Sequence, residues 1–191
     1  MKLLTVLLAF GLLSACNTPT FDQSLRAAYL VQEGGQLSPS ELDKHPEILV
    51  TSDFEELKQA VSHRIALWID KNATQLVEDG WLDSMPQASY PIIVVGYNDT
   101  LISFKYKLRI CCFLGPALPD FSDAEPGFSV IKRDKGEPGA SITMLQGFKQ
   151  TPTVDDILKI SNDHLDGKIK PTLVPSLPNI PTPTLIPTST P

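Results

Sequence analysis

The sequence predicts an α/β fold, a three-layer sandwich in which helices cover both faces of a mainly parallel sheet. Short apolar runs of strand length alternate along the chain with segments whose apolar residues recur at helical spacing. Two of the runs, residues 65–69 and 91–96, are apolar throughout, which is typical of strands buried on both faces. Because strands that alternate with helices are usually parallel, this pattern favours a parallel sheet.

Residues 47–114 contain four predicted strands separated by three predicted helices. The first helix follows Ser52, which forms a capping box with the glutamate three residues later. The second begins at Asn72, and the third at Asn98 or Asp99. The right-handed crossover rule then favours a Rossmann-like or flavodoxin-like arrangement. The predicted strands are residues 47–51, 65–69, 91–96 and 109–114.

The C-terminal part of the domain departs from this alternation. Residues 128–132 and 140–145 are predicted strands, and the Gly- and Pro-containing turn between them predicts a hairpin at a sheet edge. A helix begins within residues 151–156, which supply a hydroxyl cap, a proline and acidic residues, and it ends at Gly167. The predicted α/β domain, residues 47–168, therefore ends with a hairpin and a helix.

The segment before this domain, residues 16–46, has a weaker pattern. Phe21, Leu25, Ala28 and Tyr29 lie on one face of a short predicted helix, which two glycines end. A serine and a glutamate three residues apart then predict a second short helical turn. The segment is either a linker or a part that docks on the domain.

The first residues have the features of a secretory signal peptide. One lysine precedes an apolar run over residues 3–13, which is too short to cross a bilayer and has the length of a signal-peptide core. The run ends in Leu13-Ser14-Ala15-Cys16. This tetrapeptide resembles the lipobox of bacterial lipoproteins.

The resemblance implies that residues 1–15 are removed and that the thiol of Cys16 is acylated. The mature chain is then held on the cell membrane by its N-terminal lipid and faces outside the cytoplasm. An ordinary secretory signal is the alternative, but cleavage after Ala15 puts Leu13 at the −3 position, where small residues are preferred. The rest of the sequence has no second apolar run of membrane-spanning length.

Residues 169–191 are predicted to be a tail outside the domain. Within residues 171–191, seven of 21 residues are proline and none is charged. Because proline at this spacing blocks the hydrogen bonding of both helix and sheet, we expect an extended, mostly disordered segment. It is a stalk, a glycosylation substrate or a docking peptide, or it has no specific role.

Polar residues follow two of the predicted strands. Asp70 comes directly after the strand that ends at residue 69, and Tyr97, Asn98 and Asp99 follow the next strand. In open α/β sheets, ligands bind beyond the carboxyl ends of the strands. A carboxylate, a phenol and an amide in one crevice could hold a small polar molecule. The alternative is that these residues begin loops and cap helices.

Neither a cofactor nor a metal is predicted. The sequence has no Gly-x-Gly-x-x-Gly after the first strand and no Gly-x-x-x-x-Gly-Lys-Ser/Thr. The turn after residues 91–96 lacks the nucleophilic serine of an α/β-hydrolase. The carboxylates of residues 120–125 are oxygen donors of the kind that Ca²⁺ prefers, but they do not have the EF-hand spacing.

The cysteines and histidines show no catalytic or metal-ligand spacing. Cys111 and Cys112 point to opposite faces of a predicted strand, so they are two buried thiols, a strained vicinal disulfide or a bond to another chain. His45, His63 and His164 are expected at the surface in structural roles.

These observations favour a lipoprotein with a binding or interaction module over an enzyme. The chain has 16 Lys and Arg against 22 Asp and Glu, and its net charge of −6 argues against nucleic-acid binding. The expected partners are the membrane, through Cys16, and a protein or a small polar ligand. One alternative is a hydrolase that uses Asp70 with Asp99, Asp120 or Glu137. Another is a small solute-binding protein.

Overall fold

The computed structural model describes residues 24–60, 64–84, 90–110, 126–133 and 142–169, which form a six-stranded mixed sheet with few helices. The strands are β1 (Ala27–Leu30), β2 (Ile48–Thr51), β3 (Ala66–Asp70), β4 (Pro91–Val95), β5 (Phe128–Arg133) and β6 (Ile142–Phe148). The α-helices are α1 (Pro39–Leu42), α2 (Phe54–Ala60), α3 (Trp81–Ser84) and α4 (Val154–Leu165). The strand order in the sheet is β2-β1-β3-β4-β5-β6.

The first four strands are parallel. β1 lies between β2 and β3, and β3 pairs with β4. α1 connects β1 to β2, and α2 lies between β2 and β3. Between β3 and β4, the described residues form a 3₁₀ helix, Lys71–Leu76, and the four-residue α3. Asp70, and not Asn72 as predicted, caps the 3₁₀ helix.

The strand β1 corrects the prediction for the N-terminal segment. Residues 27–30, predicted as part of a helix, form a completely buried strand inside the parallel half of the sheet. The helix prediction is wrong because a short run that is apolar on both faces has no period that separates a strand from a helix. The sheet thus includes residues 27–30, which precede the predicted start of the domain at position 47.

β5 runs against the first four strands, and β6 runs in the same direction as those four. β5 pairs antiparallel with β4, and β6 pairs antiparallel with β5 at the edge of the sheet. The predicted three-layer, mainly parallel Rossmann-like or flavodoxin-like sandwich is therefore wrong. The physical reason is that the chain re-enters the sheet at the end where β4 stops. Phe128 pairs with Val95, and the Gly96 N–H donates to the Gly127 carbonyl at 2.8 Å.

The fourth predicted strand is not formed by its described residues, Arg109 and Ile110. Arg109 has a φ of 52°, which is a left-handed backbone conformation. The Ile110 N–H then donates to the carbonyl of Phe104 at 2.8 Å and closes the π-helical turn that follows β4. The remainder of this predicted strand, with Cys111 and Cys112, lies outside the described residues.

Two hydrophobic clusters pack on the two faces of the sheet, which we name the α2 face and the α4 face after their main helices. The α2 face includes Ala28, Leu30, Leu57, Leu67, Ile69, Val94, Tyr97, Phe104 and Ile131. The α4 face includes Tyr29, Leu37, Leu42, Ile48, Trp68, Ile93, Val95, Phe128, Val154 and Ile157. Because successive residues of a strand point to opposite faces, β1, β3 and β4 contribute to both clusters.

The helix α4 and the antiparallel pair β5–β6 agree with the sequence prediction. α4 begins after Thr153, whose Oγ1 accepts a hydrogen bond from the Asp156 N–H at 3.2 Å. The indole Nε1 of Trp68 donates to Ser161 Oγ at 2.9 Å and fixes α4 on the central strand β3. The predicted hairpin turn, residues 134–139, lies outside the described residues.

Candidate functional site

The loops that follow β1 and β3 are joined by hydrogen bonds at the carboxyl edge of the parallel strands. Asn72 Oδ1 accepts from the Gln32 N–H at 3.1 Å. Its Nδ2 donates to the carbonyls of Gln32 and Glu33 at 3.1 and 3.2 Å. These bonds satisfy backbone groups that neither strand pairs, and they hold the loop that contains Gly34 and Gly35 over the end of the sheet.

Asp70 is the buried anchor of this edge. It is completely buried, and its carboxyl group accepts hydrogen bonds from the Tyr29 hydroxyl, the Gln36 N–H at 2.8 Å and the Asn72 N–H at 3.0 Å. Burial, and then the neighbouring carboxylate, raises the pKa of Tyr29 far above its ordinary value, so the phenol remains a donor. The oxygens of Asp70 are therefore occupied by groups of the protein itself.

Asp99 and Asn98 have different environments in the turn after β4. Asp99 Oδ1 accepts from the Leu101 N–H at 2.8 Å and the Ile102 N–H at 3.0 Å, which is the helix-capping role considered for this residue. Asn98 packs against Gly127 at the start of β5. Its Nδ2 is buried and has no hydrogen-bond partner among the described residues.

Tyr97 lies on the other face of the sheet from Asp70. Tyr97 belongs to the α2 face, whereas Asp70 contacts Tyr29 of the α4 face. The Nζ atoms of Lys71 and Lys107 each lie 5.2 Å from the centre of the Tyr97 ring, within cation–π range. The structure thus brings the predicted site residues to one edge of the sheet but separates the side chains of Asp70 and Tyr97.

A cleft of about 560 Å³ opens between the loop after β1, the helix α1 and the edge strand β2. Its volume and its mainly apolar lining are typical of small-molecule sites. The floor consists of buried side chains: Tyr29, Leu37, Leu42 and Ile48. The walls include Val31, Gly34, Gly35, Pro39, Pro46 and Val50. Val50 is 44% exposed at the mouth, which makes it an accessible apolar contact for a ligand.

The rim of the cleft is polar and acidic. Glu33 and Asp43 are both exposed on it. His45 also lines the cleft, but its nitrogens face other groups: Nδ1 lies 3.2 Å from Glu47 Oε1, and Nε2 lies 3.3 Å from Asp155 Oδ1. His45 therefore links the end of α1 to the start of α4, which is a structural role.

The sequence pattern alone does not indicate this cleft. Because the residues of β1 were expected in a helix, the two glycines after them indicated only the end of that helix. In the structure, Gly34 has a φ of 79°, and a side chain on Gly35 would overlap Val31. A pair of glycines shortly after a short apolar run, separated from it by Gln32 and Glu33, is the signal in the sequence for a tight loop at the end of a strand.

His164 is buried, and its predicted surface position is wrong. It is 2% exposed on the inner side of α4, and neither ring nitrogen has a hydrogen-bond partner among the described residues. Burial, and then the positive charge of Lys132, lowers the pKa of His164, while Asp163 acts in the opposite direction. The imidazole therefore stays neutral down to a lower pH than an exposed histidine does.

The remaining sequence predictions fall on residues that the structure does not describe. They concern Cys16, His63, Asp120, Glu137 and the C-terminal tail. Within the described ranges, no helix combines the length and the apolar character needed to cross a membrane. In the same part of the chain, no three His, Cys, Asp or Glu residues are grouped so that they could hold a metal ion.

Comparisons of the chain with protein-family models, with curated proteins and with solved structures found no match. The cleft and the sequence are thus the basis for assigning a function.

Proposed function

We propose that this chain is a lipid-anchored extracytoplasmic lipoprotein whose domain binds a small, mainly apolar molecule in the cleft. The observation that carries the binding function is the cleft itself, about 560 Å³ in volume with a buried apolar floor. Sites for small molecules occupy roughly 300–1,000 Å³ and combine apolar walls with a few polar groups. The lipobox that ends at Cys16 supports the lipid anchor.

The geometry around Asp70 favours binding over hydrolysis. A general acid or base must come within hydrogen-bond distance of the group that it serves. Asp70 is completely buried, and Tyr29, Gln36 and Asn72 occupy its oxygens. Asp99, a candidate partner, is occupied as a helix cap. Both carboxyl groups therefore support the loops at the edge of the sheet.

A thermal-shift screen of small apolar and amphipathic molecules tests the binding function. The protein is the predicted mature chain, residues 16–191, with Cys16→Ser, which lacks both the apolar signal segment and the lipid and so needs no detergent. A ligand at about 100 times its Kd should stabilise the protein by about 2.7 kcal/mol. We expect Val50→Trp, which places a large ring in the mouth of the cleft, to abolish this stabilisation.

The matched control is Leu145→Trp. Leu145 is 39% exposed and lies on β6, the edge strand at the other end of the sheet from β2. Tryptophan is thus introduced at a similarly exposed apolar position that does not line the cleft. We expect ligand stabilisation to persist in this variant. A ligand effect that survives Val50→Trp, or a screen without any stabilising compound, would show that the cleft is not a binding site.

Fatty-acid labelling of cells that produce the full chain tests the anchor. We expect the unaltered chain to be labelled and to fractionate with the membrane. Cys16→Ser should abolish the label. Cys111→Ser and Cys112→Ser are the controls, and both should remain labelled. Membrane-bound, labelled protein carrying Cys16→Ser would contradict the proposal.

A further inference from the structure

We propose that the molecule bound in the cleft is an amphipathic amine, with an apolar body and one protonated nitrogen. This inference rests on the proposed binding function and identifies the chemical class of its ligand. It follows from the charges around the cleft. Glu33 and Asp43 are the acidic side chains of the lining, and among the described lining residues there is neither a lysine nor an arginine.

The two carboxylates are accessible to a ligand. Glu33 follows β1 and Asp43 follows α1, and both residues are exposed. Within the described part of the chain, neither side chain forms a hydrogen bond or an ion pair. Beyond the lining, the acidic Glu47 and Asp155 flank His45, and the exposed Lys44 follows Asp43. The described lining itself carries two carboxylates and no lysine or arginine, so it favours a cation over an anion.

The apolar floor of the cleft favours a ligand with an apolar body. Leu37, Leu42 and Ile48 are almost fully buried beneath the cleft, and exposed Val50 adds an apolar wall at its mouth. A hydrocarbon chain placed there removes its own surface and that of Val50 from water. The polar groups lie on the rim and the apolar groups on the floor, so a ligand with one charged end and one apolar end matches both.

Three probes of equal chain length separate the contributions of charge and hydrocarbon: decylamine, decanol and decanoate. Their binding to residues 16–191 with Cys16→Ser is measured by calorimetry at low salt and about pH 8, where alkylamines are protonated. We expect decylamine to bind about fivefold to tenfold more tightly than decanol, because one or two exposed ion pairs contribute an increase in affinity of about this size. Decanoate should bind more weakly than decanol.

Removal of both rim carboxylates is the direct test. In Glu33→Gln/Asp43→Asn, we expect decylamine and decanol to bind with equal affinity. Glu55→Gln/Glu56→Gln makes the same change in net charge on α2, outside the cleft, and should preserve the preference for the amine. This control distinguishes a local effect of the rim from a general attraction of amines to an acidic protein.

The outcomes separate this inference from the proposed function. If decanol or decanoate binds as tightly as decylamine and Val50→Trp abolishes that binding, the cleft is a binding site but its ligand is not an amine. An amine preference that survives in Glu33→Gln/Asp43→Asn also overturns the inference. If no probe binds in a way that depends on Val50, the binding function fails together with the inference.

Discussion

His164 is the residue from which we expect a pH-dependent stability. Its imidazole is buried on α4 without a hydrogen-bond partner among the described residues, and burial and Lys132 lower its pKa. In the unfolded chain the imidazole takes up a proton near its ordinary pKa of about 6.5. The stability that the neutral ring contributes is therefore complete above about pH 6.5. It is lost as the pH falls towards the lowered pKa, by up to about 1.4 kcal/mol per pH unit.

Urea unfolding at several values between about pH 5 and about pH 8 measures this effect. We expect His164→Leu, a buried apolar side chain of similar size, to remove this part of the pH dependence. His45→Gln is the control, because His45 is partly exposed and lies between Glu47 and Asp155, and it should leave the loss at low pH in place. Equal pH dependence in the unaltered chain and in His164→Leu would show that the buried imidazole does not cause it.

Asp70 shows why a site residue is hard to assign from sequence. A carboxylate directly after a buried strand is suited both to bind a ligand and to cap the next turn. The position of Asp70 at the end of β3 could be predicted, and so could both roles. Which of the two roles Asp70 has depends on Tyr29, whose hydroxyl on β1 donates a hydrogen bond to the Asp70 carboxyl group. Because β1 was expected to be helical, the sequence pattern did not place that phenol beside Asp70.

At the scale of elements, the contact between the turn after β4 and the two antiparallel strands allows no side chain at Gly127. A Cβ atom there would overlap the backbone oxygen of Phe148 and would lie 2.7 Å from Asn98 Cβ. Because the obstacle is backbone, it cannot rotate away. We expect Gly127→Ala to lower the free energy of unfolding by about 2–4 kcal/mol, which combines overpacking with an unfavourable φ.

Gly167→Ala is the matched control for this prediction. Gly167 follows α4 with a φ of 71°, and no atom lies within 4 Å of a Cβ built on it. Alanine there should lower the free energy of unfolding by about 1 kcal/mol, because only the left-handed conformation is unfavourable. Urea unfolding of both variants gives the comparison. Equal losses in the two variants would mean that the close approach of β6 to Gly127 is not maintained in solution.

The elements that could be predicted are those with a clear period or clear capping residues. α4 has a threonine cap, acidic residues in its first turn and a glycine after its end, and it was placed within a few residues. β3 and β4 are long enough apolar runs to be identified. β1 was not identified, because four apolar residues carry no period. The segment after β4 is predicted to contain a helix and then a strand. Its described residues are helical, with a π-helix over Ile102–Lys107, but Arg109 and Ile110 form no strand.

At the scale of the whole molecule, the direction of β5 decided whether the predicted fold was right. Alternating strands and helices predict parallel pairs, and this holds for β1 to β4. The stretch of sequence between β4 and β5 is long enough to permit either direction. The return of the chain to the same end of β4 is fixed by contacts such as that of Gly96 with Gly127, which no local pattern encodes. The cleft is lined by residues of β1 and β2. It could not be predicted from the sequence because β1 was not recognised as a strand.

The two tryptophans of the chain report on the two faces of the sheet, and we expect them to unfold together. Trp81 packs on the α2 face, with its ring 4.9 Å from that of Phe54, and Trp68 lies on the α4 face, bonded to Ser161. Because β1, β3 and β4 contribute side chains to both faces, neither cluster can lose its packing while the other keeps its own. Trp68→Phe and Trp81→Phe each leave one fluorophore. In each variant, the urea midpoint of the remaining tryptophan should coincide with the midpoint from far-UV circular dichroism. A fluorescence midpoint that precedes the circular dichroism midpoint in one variant alone would show that this face opens independently of the other.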